Sequence, residues 1–255
     1  MSDGQTILAV NDRYQNYLRA EIAKQVDPHD GMYNAVNDIP VYLAVGKSAI
    51  DVVMHAMILA DKPAARSVLD LPCGGGRITR HLTAFFPDSE IFACDSDRRL
   101  EDFVVETFGV KRFHTAADFS QPPEQQFDLV FVGSLVTHLD QPRFKRAVSW
   151  FISALAPDGL LVLTTHGRQH DLYQRYVREF VPAGTWDAAR KKFLTKGFGY
   201  VPYSGPEYGL SICKPSWLLA VVENDPSIRI LALQEGAWNQ HQDVLVVQKK
   251  ALRPF

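Results

Sequence analysis

The sequence predicts an α/β fold: a doubly wound, mainly parallel sheet of seven strands with an antiparallel last strand, an N-terminal helical cap and an insertion after strand five. Three observations carry this. Between residues 67 and 165, short β-branched and apolar runs alternate with stretches of helical period, which implies right-handed βαβ crossovers with helices on both faces. The last two apolar runs, 228–233 and 243–248, are joined by about eight residues rich in turn formers, a link short enough to allow only an antiparallel pair. Residues 167–212 break the alternation.

In order along the chain, residues 7–25 read as a surface helix stopped at Asp27-Pro28, and residues 28–45 as irregular. From Ser48 a helix sets Ile50, Val52, Val53, Ala56, Met57 and Leu59 on one face. Residues 1–47 are therefore expected to form a cap, and 48–255 the main domain. Strands follow at 67–71, 91–94, 110–114, 129–132 and 160–165. Between them run helices marked by Leu82 and Phe85, by Leu100, Val104 and Phe108, and by Phe144, Val148, Phe151 and Leu155. Gly109 suits a left-handed helix end and Asp140 a helix start. The 167–212 insertion predicts a helix over 172–180, then an aromatic stretch. Pro215-Ser216-Trp217 opens the last helix.

The composition excludes several classes. Of 255 residues, 46% are hydrophobic, with 16 Gly and 15 Pro, so the chain is neither disordered nor collagen-like. Lys+Arg 27 against Asp+Glu 29 gives a net charge of -2, which is no electrostatic footprint for nucleic acid. Cys73, Cys94 and Cys213 make no zinc-caging pair, and no carboxylate cluster is placed for a metal, so no metal is expected. The N-terminus has no basic-then-apolar leader. The longest apolar tract, residues 52–60, is far short of the ~20 residues of a spanning helix. A cytoplasmic protein without membrane contact is expected; oligomeric state has no signal.

A parallel sheet binds its ligands at the carboxyl ends of its strands. There, Val68-Leu69-Asp70-Leu71-Pro72-Cys73-Gly74-Gly75-Gly76-Arg77 leads from a strand into a helix. Glycines admit a ligand close to the backbone, and the helix start offers free N–H groups. Asp95 ends the next strand, 19 positions after Gly76; its carboxylate can accept both ribose hydroxyls of an adenosine, or else Asp95 or Ser96 caps a helix. A dinucleotide loop needs a third Gly where this chain has Thr79. A carboxylate at Asp70 would repel a pyrophosphate and suit a cationic ligand.

This segment resembles motif I of class I S-adenosylmethionine-dependent methyltransferases, acidic-x-Gly-x-Gly-x-Gly. Asp70, Gly74 and Gly76 match, and Pro72 stands where the first Gly is expected. The resemblance covers roughly residues 48–250. It implies S-adenosylmethionine as cofactor, S-adenosylhomocysteine as product, and a site built from Asp70, Pro72, Cys73, Gly74, Gly76, Asp95 and Ser96. It further places adenine recognition at Asp118-Phe119, and Ser134 at the fourth strand's end. Turn, core and cap roles remain open for Asp118, Phe119 and Ser134 respectively. Arg77 and Arg80 read as surface residues.

Methyl transfer to oxygen needs a general base, whereas a neutral amine needs none. His138, His166 and His241 follow strands four, five and six and are candidate bases, or they cap and fill. Tyr200, Tyr203, Tyr208 and Trp238 could stack on an acceptor, or form a small core. A small-molecule acceptor, oxygen before nitrogen, is the expectation. A non-catalytic binding module on the same fold and an NAD-dependent oxidoreductase are the alternatives.

Overall fold

The computed structural model describes residues 3–250 except 204, 206 and 207. Three helices come first: α1 (Asp3–Arg19), α2 (Gly31–Asn34) and α3 (Ile39–Leu59). The alternating part follows as β1 (Ser67–Asp70), α4 (Thr79–Phe85), β2 (Glu90–Ala93), α5 (Arg98–Phe108), β3 (Lys111–Arg112), β4 (Phe127–Val132), α6 (Gln141–Ser153) and β5 (Leu155–His166). The insertion holds α7 (Arg168–Tyr176), α8 (Ala183–Lys196), β6 (Phe198–Pro202) and β7 (Gly209–Cys213). The chain closes with α9 (Pro215–Val222), β8 (Ile228–Trp238) and β9 (Gln242–Lys249).

Seven strands form one sheet in the order β3-β2-β1-β4-β5-β9-β8. Pairing is parallel from β3 to β5, and β9 runs antiparallel to both β5 and β8. The central strands are buried on both faces: Val68, Leu69, Val130, Phe131 and Leu161 are sealed, which is why they read as continuous apolar runs. Two apolar cores result, one on each face. Burying each large side chain contributes about 1.5–3 kcal/mol. This sheet brings the carboxyl ends of β1, β2, β4, β5 and β8 to one edge of the molecule.

Several expectations shift. The first helix ends at Arg19 rather than near 25. Residues 28–45 are not irregular: Asp30 caps α2, and Asp38 starts α3 by accepting from Val41 N at 3.0 Å, with Pro40 in the first turn. α3 thus runs unbroken across the expected 47/48 boundary. At 21 residues it is long and apolar enough to cross a membrane by length and composition. Its apolarity also has a packing reason: Ala49, Ile50, Val53, Ala56 and Met57 are buried against α1, α4 and β8.

The insertion differs most. Its first helix starts at Arg168, an unpredicted second helix, α8, follows, and the aromatic stretch is a β6–β7 hairpin. Val181, Trp186, Ala189, Phe193, Val201, Leu210 and Ile212 give this part a small core of its own. Gly197 ends α8 in the left-handed region, φ 81°, as a helix C-terminus favours.

Candidate functional site

The loop after β1 carries three successive glycines, Gly74 to Gly76. Gly74 adopts φ +51°, and a Cβ there would meet nothing within 4 Å. Its neighbours are glycines for a different reason: a Cβ on Gly75 would strike the Asp30 carboxylate, and one on Gly76 (φ +76°) the Phe108 ring. So Gly74 faces open space, while Gly75 and Gly76 let the N-terminal segment and α5 pack closely. Pro72 follows a cis peptide and is half-buried; Cys73 is buried, and burial pushes its thiol up.

Asp95 lies beside that opening. Its Oδ2 accepts from Gly74 N at 2.8 Å and its Oδ1 from Asp97 N at 2.8 Å. Each carboxylate oxygen keeps a second lone pair for a further donor. Desolvation raises its pKa first, and the two backbone donors oppose that. Ser96 beside it is exposed. Asp70 is fully buried under the loop. Its Oδ2 accepts from Thr79 Oγ1 at 2.6 Å, and its Oδ1 has no hydrogen-bond partner among the described residues. Desolvation lifts its pKa to about 7. Thr79, in the place of a third glycine, therefore serves the Asp70 carboxyl.

Arg80 is not a surface residue, and Arg77 is half-buried. Arg80 is 1% exposed and donates to Gly76 O (2.8 Å), Gly75 O (3.1 Å) and Ala23 O (2.9 Å). It locks the N-terminal segment onto the glycine loop. Tyr42 adds to this through its hydroxyl, which donates to Asp30 at 2.5 Å. The Arg77 guanidinium lies 6.0 Å from the Tyr42 ring centroid and 5.9 Å from that of Trp238. These residues close one side of the loop, and sequence reasoning missed that role.

Asp118 and Phe119 lie in the segment between β3 and β4, after the third strand. β3 ends at Arg112, and Asp118 lies beyond it in an exposed turn, accepting from Ser120 N at 3.1 Å and near Arg146 at 3.8 Å. Phe119 is buried against Trp150 and Phe151. Ser134, after β4, sits at φ 62°. Its N–H donates to Thr164 Oγ1 at 2.8 Å, Thr164 donates to Gln242 Oε1 at 2.6 Å, and Gln242 Nε2 donates to Ser134 Oγ at 2.5 Å. This closed network ties the ends of β4, β5 and β9.

On the acceptor side, His138 Nδ1 lies 2.9 Å from Gly209 O, so this nitrogen carries the proton and Nε2 keeps its lone pair. Its ring stacks on Tyr208 at 4.4 Å, and the Tyr203 ring stands edge-on at 6.2 Å. Burial lowers its pKa, so it is neutral at pH 7. Tyr203 and Tyr208 are 47% and 45% exposed, which leaves them open to a ligand. Tyr200 packs against the main core. Trp238 is 1% exposed and packed on Phe131, so it cannot stack on an acceptor. His166 and His241 are buried and lie together with His170, a residue that sequence reasoning passed over.

Residues 68–159 match the family model described as a methyltransferase domain. Two curated relatives are similar. Trans-aconitate 2-methyltransferase of Methylobacterium radiotolerans is 27% identical over 136 residues, 52% of each chain. Malonyl-[acyl-carrier protein] O-methyltransferase of Halalkalibacterium halodurans is 27% identical over 129 residues, 45% of each chain. The chain thus matches about half the length of these relatives. Among solved structures, an S-adenosylmethionine-dependent methyltransferase from Clostridium acetobutylicum superposes with TM-score 0.58 at 14% identity, covering 88% of this chain and 96% of that one. CalS10, an amino pentose methyltransferase from Micromonospora echinaspora, gives 0.57 at 16%, covering 89% and 100%. At these identities the structures establish the fold.

Proposed function

We propose that the chain is a class I S-adenosylmethionine-dependent methyltransferase that transfers the sulfonium methyl of S-adenosylmethionine to an oxygen of a small molecule, leaving S-adenosylhomocysteine; the methyltransferase-domain match over residues 68–159 and the fold of the structural neighbours support this reading. The observation that carries the cofactor reading is the open backbone at Gly74, whose N–H is held by Asp95 at the end of β2. Asp95 would accept the ribose diol of the cofactor, and the Asp70 carboxyl would suit its cationic end.

Oxygen rather than nitrogen is favoured by His138. Its Nε2 is a neutral base at the end of β4, flanked by the open rings of Tyr203 and Tyr208. An amine that is already neutral attacks without such a base, while a hydroxyl gains about 10²–10⁴-fold from one. The enzyme's other task is to hold acceptor and sulfonium in line, which supplies roughly 7–11 kcal/mol of the barrier. Incubation with methyl-labelled cofactor and a panel of hydroxyl, carboxyl and amine acceptors tests this. Label on an oxygen acceptor supports the reading; label on amines alone refutes the oxygen assignment, and transfer to no acceptor refutes transferase activity.

A further inference from the structure

Three histidines distant in sequence meet at the carboxyl edge of the sheet. His166 ends β5, His170 lies in the first turn of α7, and His241 lies in the β8–β9 link. The β5–β9 register, which pairs His166 with Gln242, brings His241 into place. All three are buried, and their ligand-capable nitrogens lie within 4.8 Å of one another.

Two of the three are held as metal-bound imidazoles are held. His166 Nδ1 lies 3.2 Å from Ser211 O, and His241 Nδ1 lies 2.7 Å from Asn239 O. A carbonyl only accepts, so each Nδ1 carries the proton and each Nε2 presents a lone pair. His170 is 0% exposed, and neither of its ring nitrogens has a hydrogen-bond partner among the described residues. A buried imidazole left unsatisfied at both nitrogens is unfavourable unless something else binds there. The nearby Asp171 is already engaged, accepting from Trp186 Nε1 and Arg190 Nε at 2.9 Å each.

We propose that His166, His170 and His241 form a binding site for a divalent cation of the zinc class, with three imidazole nitrogens and a fourth position for water or a ligand oxygen. The donor set selects the ion: imidazoles suit zinc, cobalt, nickel or copper, whereas magnesium and calcium take oxygen ligands. His166 and His170 stack with centroids 3.4 Å apart and planes 9° from parallel. Ring rotations that splay the stack bring the nitrogens to the roughly 3.3 Å spacing that Zn–N bonds of about 2.0–2.1 Å impose. This inference stands apart from methyl transfer, because metal uptake is measured without cofactor or acceptor.

The test is titration of chelator-stripped full-length protein with Zn²⁺ alone, and with Co²⁺ as a spectroscopic probe. The expected result is one tightly bound equivalent, the visible bands of tetrahedral Co²⁺, and at least hundredfold weaker binding in His170→Ala and His241→Ala. His55→Ala, at an exposed position, should bind as wild type. Absence of a stoichiometric site in the wild type overturns the proposal, as does unchanged affinity in folded His170→Ala. If the variants do not fold, X-ray absorption on the Zn²⁺-loaded wild type decides: a nitrogen shell with imidazole scattering supports the site, and an all-oxygen six-coordinate shell overturns it.

Discussion

Replacing Gly74 by alanine separates ligand approach from packing, with Gly76→Ala as its partner. Both glycines have positive φ, so each alanine carries the left-handed cost of about 1–2 kcal/mol. At Gly74 the added Cβ meets nothing within 4 Å. The expected loss of stability is that cost alone, a fall in melting temperature of about 2–8 °C. The methyl group does, however, occupy the space through which a ligand reaches the backbone, and at least thirtyfold weaker S-adenosylhomocysteine binding is expected, about 2 kcal/mol. At Gly76 the added Cβ strikes the Phe108 ring and comes within 3.0 Å of Val104. Overpacking adds about 1–3 kcal/mol, so Gly76→Ala should melt well below Gly74→Ala while its folded fraction binds better. Thermal unfolding by circular dichroism and calorimetric titration read the two quantities separately. Wild-type affinity in Gly74→Ala would refute the assignment of this loop as the cradle.

Asp70, raised by burial to about 7, makes cofactor affinity pH-dependent. A cationic ligand favours the ionised carboxyl, so affinity should fall on acidification below about pH 7 and level off above it; Asp70→Asn should flatten the curve, and a flat wild-type titration from pH 5.5 to 8 contradicts the argument. The same group acts on folding with the opposite sense. Its folded pKa lies above the unfolded one, so stability is full at low pH and declines as pH rises between about 4 and 7, by up to about 4 kcal/mol; chemical denaturation of wild type against Asp70→Asn across that window checks the sign. His138→Gln should lower kcat by about 10²–10⁴-fold with a small change in KM. Because burial lowers the His138 pKa, wild-type kcat/KM should stay flat above pH 6.5 and drop only on further acidification; a rise between pH 7 and 9 would point to another base.

The alternating half of the chain was legible because its strands are buried on both faces and its helices carry a clear stripe. Asp70 ends β1, and Gly74, Asp95 and Ser134 lie in the loops just past β1, β2 and β4, positions that strand placement predicts. β3 is only two residues long, Lys111–Arg112 within the expected 110–114, and Asp118 holds Ser120 N in the turn beyond it. Arg77 and Arg80 look like solvated charges until the N-terminal segment folds over them. The hairpin and α8 pack mainly on each other through Trp186, Ala189 and Phe193, a partner that sequence periodicity does not reveal. The histidine cluster needs three elements at once. Its one local signal was His166 and His170, four apart across a strand–helix junction.

Calorimetric titration with S-adenosylmethionine, S-adenosylhomocysteine and NAD, on wild type and Asp95→Ala, tests the central claim most directly. Micromolar binding of both adenosyl ligands and none of NAD is expected. Asp95→Ala should lose at least about 1.5 kcal/mol of that binding, from the charge-assisted bonds to the ribose. A folded protein that binds neither adenosyl ligand, or binds NAD instead, would contradict it.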